Sequence, residues 1–280
     1  MNTPGNKFRD AIADNKPLMV VGAINAYCAK MAEKAGHKAL YLSGAGVANA
    51  SFGLPDLAIT TLNDVAEDSR RITQATNLPL LIDIDTGFGG AFSISRTIKE
   101  MIAADVAAVH IEDQVTQKRC GHRPNKSLVD KIEMNDRIKA AVDGRTDESF
   151  FIMARTDSYA SEGMEGAIDR CNEYIAAGAD GLFLEAVSSL EDYKQLKDAL
   201  NVPLLANITE FGKTPLFSAQ ELASVGVDIM LFPLSAFRAM NKAAESVYID
   251  IAENGSQVNS VEKMQTRDEL YKYCLLYTSP

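Results

Sequence analysis

The stretch QKRCGH, residues 117–122, sets Cys120 beside Lys118 and Arg119 on one side and His122 on the other. Neighbouring cations stabilise a thiolate and lower a thiol's pKa. Such a cysteine has two chemical roles open to it. It can attack as a nucleophile, with His122 as its base two residues on, or it can give its proton to a carbanion while the cations hold the thiolate left behind. The acidic residues favour the second role. Asp83 and Asp85 are two apart, so on a strand their side chains point the same way. Two carboxylates aimed into one space repel unless a cation or a proton lies between them. With Glu112, and with Asp56 in GLPDL, they make an oxygen-only donor set that suits Mg2+, with Mn2+ as a substitute. The structural alternative is a set of acids paired with Arg155. A metal that holds a hydroxy acid could help to cleave it, which leaves a carbanion for the thiol to protonate.

Groups that recognise anions accompany the acids. The small residues of SGAG, 43–46, allow close approach of a carboxylate to backbone amides. Arg155 and Arg238 can each grip a carboxylate with two parallel hydrogen bonds. The glycines of TGFGG, 86–90, read as a flexible turn beside the metal acids.

These residues need a frame that brings them together. Eight short hydrophobic runs begin near residues 18, 39, 79, 107, 150, 181, 203 and 229: LMVVGAIN, ALYLSG, PLLIDID, AAVHIED, FFIMARTD, GLFLEA, PLLANIT and IMLFPL. Their continuous hydrophobicity fits strands buried on both faces. Between them lie amphipathic stretches such as TLNDVAEDSRRITQAT and SLEDYKQLKDAL. Eight such units, with no Walker or GxGxxG loop, predict an α/β fold of the (β/α)8 TIM-barrel type over residues 1–254. The run KFRDAIADN predicts an N-terminal helix that plugs the barrel's bottom, and residues 255–280 a C-terminal helical extension. Ser43, Asp83, Asp85, Glu112, Arg155, Glu185, Asn207 and Thr209 all fall at C-terminal ends of strands, where barrel enzymes build their sites. Residues Gln114 to Lys131 read as a long loop over that mouth.

The composition narrows the partners. A 280-residue chain with 46% hydrophobic and 24% charged residues can bury a large core. A net charge of -10 repels phosphate backbones and acidic membranes, which argues against a nucleic acid or membrane partner. The N-terminus lacks the apolar core of a signal peptide, so a cytoplasmic location is expected. Cys28, Cys120, Cys171 and Cys274 are scattered with no CxxC pair, which predicts neither a disulfide framework nor a zinc site.

Taken in order, SGAGVA, GLPDL, DIDTGFG, HIEDQ, KRCGHRPNK, MARTD, ANITEFG and PLSAFRAMN closely resemble the methylisocitrate lyase branch of the isocitrate lyase and phosphoenolpyruvate mutase superfamily. The resemblance runs from about residue 5 to residue 272. It implies cleavage of 2-methylisocitrate, a tricarboxylate, into pyruvate and succinate in the methylcitrate cycle of propionate catabolism. It implies Mg2+ at Asp83 and Asp85, supported through water by Asp56 and Glu112. Ser43, Gly44 and Ala45 would hold the pyruvate-side carboxylate with Arg155, while Gly121, His122, Glu185, Asn207, Thr209 and Arg238 surround the rest of the substrate. Leu231 and Pro233 match positions that make room for the extra methyl. Cys120, among Lys118, Arg119 and His122, would protonate the carbanion.

Chains of that branch continue past MQTRDELY into helix that packs across a neighbouring subunit, whereas this one ends KYCLLYTSP. A homotetramer is expected if the extension functions, with weaker assembly than in relatives. A lyase acting on isocitrate or a dimethylmalate would use the same metal and cysteine, and a phosphonopyruvate-type phosphomutase would keep the metal acids. A silent barrel used as a binding module would need none of them.

Overall fold

The computed structural model describes residues 2–118 and 126–274. Eight parallel strands close into a barrel in sequence order: β1 (Leu18–Gly22), β2 (Ala39–Leu42), β3 (Leu80–Asp83), β4 (Ala108–Glu112), β5 (Phe151–Thr156), β6 (Gly181–Leu184), β7 (Leu204–Asn207) and β8 (Ile229–Phe232). Closure is made by β8 against β1, with Leu18 opposite Ile229 and Val20 opposite Leu231. The strands begin within a residue of the hydrophobic runs that announced them.

Alternation along each strand divides the core in two. One set, including Leu40, Leu80, Ile82, Val109, Ile152, Leu182 and Leu204, packs outward under the helices. The other, including Val20, Ala39, Leu81, Ala108, Met153, Leu205 and Ile229, fills the barrel axis. Higher on the axis, the even strands contribute Tyr41, His110, Phe183 and Leu231. Tyr41 Oη and His110 Nε2 are 2.8 Å apart, and the imidazole meets the Phe183 ring edge-on at 5.3 Å. This mixed layer is the floor on which the polar residues stand.

The helix expected at the N-terminus spans α1 (Pro4–Asp14), with Thr3 as its N-cap and proline in its first turn. It buries Phe8 and Ile12, and Phe8 meets Phe151 edge-on at 5.4 Å. Arg9 bonds the Ser149 carbonyl at 2.8 Å and Asp180 at 2.9 Å, residues that lead into β5 and β6. The helix therefore closes the barrel's N-terminal end.

Five further helices run between strands: α2 (Ala26–Lys34), α3 (Gly44–Phe52), α4 (Leu62–Thr73), α5 (Ala91–Ala103) and α6 (Lys131–Gly144). They are followed by α7 (Tyr159–Ala176), α8 (Leu190–Ala199) and α9 (Ala219–Ser224), and after β8 by α10 (Ser235–Asn254). In a TIM barrel the last helix joins the outer ring, yet α10 buries none of its residues. The β8–β1 seam instead opens on a cavity of about 510 Å³ lined by Met19, Val21, Cys28, Met31 and Phe232. A short 3-10 helix, Val258–Lys263, and α11 (Arg267–Tyr273) return the chain to α2, where Tyr273 packs edge-on against Tyr27 at 5.6 Å. Among the described residues no helix is long and apolar enough to cross a membrane.

Candidate active site

The polar residues converge at the C-terminal mouth. A cavity of about 370 Å³ is lined there by Tyr41, Ser43, Ala45, Asp56, Asp83, Arg155, Phe183, Glu185, Asn207, Thr209, Leu231, Pro233 and Arg238, among others. A second cavity of about 400 Å³ has Asp85 in its wall, together with Thr60, Thr61, Ser93 and Arg96.

Asp83 ends β3. Asp85 is not on the strand: its φ is 49°, a left-handed turn conformation, and its N–H donates to Asp83 Oδ1 at 2.9 Å. The two carboxylates do share a site, but a turn brings them together rather than the strand alternation predicted from their spacing. SGAG opens a helix. Ser43 is the N-cap position of α3 and Gly44 its first residue, so first-turn amides, which lack helical partners, face the mouth. A Cβ on Gly44 would stand 3.1 Å from Asp83 Oδ2 and 3.3 Å from Asp85 Oδ1, so glycine keeps open the space over both acids.

Electrostatics sets these carboxyls apart. Burial opposes charge on Asp83, but His110, Lys118 and Arg155 outweigh it and hold the group down at about 2. Burial and the charge of Asp83 push Asp85 up to about 6, against Lys118. Lys118 Nζ lies 2.8 Å from Asp56 Oδ1 and 2.5 Å from Asp85 Oδ1. Burial disfavours its charge, but Glu112, Asp83, Asp85 and Asp56 together raise its pKa well above that of a free lysine. Glu112 is fully buried, and neither of its oxygens has a hydrogen bond. Burial pushes its carboxyl well up, against Arg155 and Lys118. His110 is lowered to about 4 by burial and so is neutral at pH 7.

Arg155 is the hub of the opposite wall. Its Nε lies 3.0 Å from Asp157 Oδ2 and 3.3 Å from Glu112 Oε2, and its Nη2 is 3.1 Å from Glu185 Oε2. Asn207 Nδ2 donates to Glu185 Oε1 at 3.2 Å. Arg238, at the start of α10, is more exposed: it lies 4.0 Å from Glu210 and over the Phe211 ring at 5.6 Å.

Cys120, Arg119, Gly121 and His122 lie outside the described residues. The segment that contains them is entered at Lys118 and left at Lys126. Its stem pairs, with a bridge between Gln114 and Leu128 and a bond from the Val115 N–H to the Ser127 carbonyl at 2.9 Å.

The donor chemistry was tested against a hard cation. Among the described residues no three Asp, Glu, His or Cys side chains form a group that could hold a metal ion unaided. Mg2+ does not need three, because it binds through one or two carboxylates and keeps its waters. The space over Asp83 and Asp85 that Gly44 leaves open, and the buried unbonded carboxyl of Glu112, fit such an ion.

Sequence reasoning passed over three contributors. His110 and Phe183 sit in the floor, and their signal was the inward alternation of AVHIE and GLFLE, which aligns His110 with Glu112 and Phe183 with Glu185. The third, Lys126, meets Asp157 across 31 positions, a pairing that no local pattern encodes.

With this geometry in hand, comparison with known proteins is direct. The phosphoenolpyruvate phosphomutase family pattern matches residues 8–252. A 2-methylisocitrate lyase of Vibrio cholerae is 61% identical over 97% of this chain and 90% of its own length. That of Escherichia coli is 56% identical over 97% of this chain and 92% of its own. Among solved structures, a 2,3-dimethylmalate lyase superposes with a TM-score of 0.90 at 35% identity, covering 98% of this chain and 92% of that one. An oxaloacetate acetylhydrolase bound to 3,3-difluorooxalacetate gives 0.91 at 32% identity, covering 98% and 94%. The chain belongs to the phosphoenolpyruvate phosphomutase family of the isocitrate lyase superfamily and, within it, to the 2-methylisocitrate lyases.

Proposed function

We propose that this carbon-carbon lyase cleaves 2-methylisocitrate to pyruvate and succinate, Mg2+-dependently, in the methylcitrate cycle of propionate catabolism. The observation that carries the reading is a mouth in which the Asp83 carboxylate, bonded by the Asp85 N–H, faces an arginine and a helix N-terminus across one cavity, in a chain 61% identical to a 2-methylisocitrate lyase. The acids suit the substrate's hydroxyl end and the cationic groups its carboxylates.

Asp83 and Asp85 would hold the ion, with Asp56 and Glu112 acting through water, and Mn2+ could substitute. When bound, it supplies Lewis-acid stabilisation of the substrate's oxygens. The protein does the rest. Ser43, Gly44 and Ala45 offer amides, and Arg155 a guanidinium, to the pyruvate-side carboxylate. Glu185 and Asn207 fix that guanidinium, while Thr209 and Arg238 face the succinate side. Leu231, Pro233 and Phe183 form an apolar wall for the methyl, a preference worth about 1–3 kcal/mol. Lys118 holds a proton at Nζ between Asp56 and Asp85. Cys120 gives its proton to the carbanion, with Arg119, Gly121 and His122 beside it.

The assembly we assign is a cytoplasmic homotetramer built through α10 and the segment that follows. Its support is the unburied length of α10, where Tyr248 is 74% exposed and Ile249 49%.

The test is pyruvate release from 2-methylisocitrate, with Mg2+ and with chelator, by the wild type and by Cys120→Ser. Isocitrate, 2,3-dimethylmalate and phosphonopyruvate run in parallel. Metal-dependent release that fails in the variant, with the other acids poor, is expected. Better turnover of any parallel substrate refutes the assignment.

A further inference from the structure

Asp157 lies behind Arg155 and does not line the cavity. It is fully buried, and its backbone is pinned by the bond from its N–H to Asp113 Oδ1 at 3.0 Å. Asp113 is itself fixed by Thr156 Oγ1 at 2.6 Å and Tyr174 Oη at 2.9 Å. The Asp157 carboxylate thus has a set place, and two cations share it. Arg155 donates from Nε to Oδ2 at 3.0 Å and from Nη2 to Oδ1 at 3.4 Å. Lys126 Nζ stands 2.5 Å from the same Oδ1. Gln114 Nε2 adds a weaker contact to Oδ2 at 3.4 Å.

We infer that Lys126 is a positioning residue for the carboxylate-binding arginine, acting through the carboxylate that the two cations share. With the ammonium in place, Asp157 divides its field between two partners, and Arg155 keeps its Nη2 turned toward Glu185 and the cavity. With the ammonium gone, Arg155 is the cation left on that buried charge among the described residues, and it is drawn back toward Asp157 and away from the substrate's carboxylate. Burial opposes charge on Asp157, and Arg155 and Lys126 together hold its carboxyl below the usual range. A plain stem-fastening role would not have this effect. The stem already has its own backbone pairing, Gln114 to Leu128 and Val115 to Ser127, which does not involve the lysine side chain.

The inference rests on the proposed lyase reading only for the role of Arg155, so the experiment measures both turnover and binding. Lys126→Met, Lys126→Arg, Arg155→Lys and the Lys126→Met/Arg155→Lys double variant are assayed with 2-methylisocitrate. Binding of oxalate, a small dicarboxylate probe, is measured by calorimetry in Mg2+. The expected result for Lys126→Met is a KM raised, and an oxalate affinity weakened, by about ten- to a hundredfold, the scale set by slight misplacement of a binding group, with kcat less affected. Lys126→Arg recovers most of the loss. The double variant binds oxalate no more weakly than Arg155→Lys alone, because both changes act at one guanidinium. Single losses that multiply in the double variant, or a Lys126→Met protein with wild-type KM and oxalate affinity, overturn the inference. So does a wild type that binds no oxalate. If Lys126→Met does not fold, Lys126→Gln takes its place in the cycle. A wild type that binds oxalate but does not cleave 2-methylisocitrate refutes the substrate reading and leaves the cycle to decide the role of Lys126.

Discussion

Replacing Glu112 by glutamine is expected to make the metal-free protein more stable, not less. The reasoning starts from a carboxyl with no exposed surface and no hydrogen bond to either oxygen. Among the described residues the cation paired with it is Arg155, 3.3 Å away and already engaged by Asp157 and Glu185. Burial therefore wins, and the folded-state pKa rises well above the ordinary 4.5. An acid whose pKa is raised by folding weakens the fold as pH climbs above its unfolded value, and the penalty levels off once pH passes the folded value. Each pH unit climbed between the unfolded and the folded value costs about 1.36 kcal/mol. Glutamine has the shape of the protonated acid and carries no such penalty.

The assay is urea unfolding of wild type and Glu112→Gln in chelator at intervals from pH 5 to pH 8. The stability difference should be small at pH 5 and grow in favour of the variant as pH climbs, by up to about 1.4 kcal/mol per pH unit. Mg2+ should then reverse the order, because an ion bound to the folded state alone stabilises by mass action, and a neutral amide attracts it less than a carboxylate does. The refuting result is a variant less stable by a constant amount at every pH. That would mean Glu112 is charged throughout and its pair with Arg155 outweighs burial, in which case breaking it should cost about 3–5 kcal/mol.

Two further outcomes are expected. Gly44→Ala puts a methyl 3.1–3.3 Å from the Asp83 and Asp85 oxygens, so calorimetry should find Mg2+ bound at least about tenfold more weakly (about 1.4 kcal/mol) while the thermal midpoint barely moves; unchanged affinity would show that the space over the acids is not the ion's. Phe8→Ala empties the barrel's closed end, where the ring is fully buried, and should cost about 3–5 kcal/mol in urea unfolding with kcat unaltered, since the site lies at the other end.

The fold was legible because most strands are buried on both faces and are written as uninterrupted apolar runs; β1 departs from this, with Met19 44% exposed at the open seam. The ring of strand-end residues followed from that: Asp83, Arg155, Glu185 and Asn207 line one cavity, while Glu112 is buried against Arg155. Asp85 belongs to the group for a different reason: the strand stops at Asp83, and a left-handed residue turns the second carboxylate back. Spacing could not reveal this, because the glycines of TGFGG place the turn at residues 86–90, whereas it begins one residue earlier, at Asp85, which is not a glycine. Helix α3 was hidden by its small residues, which lack amphipathic contrast. Lys118 was read as a neighbour of Cys120, whereas its Nζ reaches Asp56 and Asp85, 62 and 33 positions back. Pairings over such distances are set by the closed barrel and have no local signature.

That closed barrel also explains why the mouth is chemically unsettled without a guest. Among the described residues, Asp56, Asp83, Asp85, Glu112, Asp157, Glu185 and Glu210 are gathered against Lys118, Lys126, Arg155 and Arg238. In a water-excluding interior such an imbalance is relieved by taking up protons or binding cations. The split between Asp83, held down at about 2, and Asp85, pushed up to about 6, shows the first route. A divalent ion offers the second and would displace protons from the same carboxyls, so metal affinity should rise steeply as pH passes through the range where Asp85 gives up its proton. The closed barrel holds these like charges close where a purely structural core would avoid them. A barrel that keeps them there has the charge pattern that the proposed binding of a cation and an anionic substrate calls for.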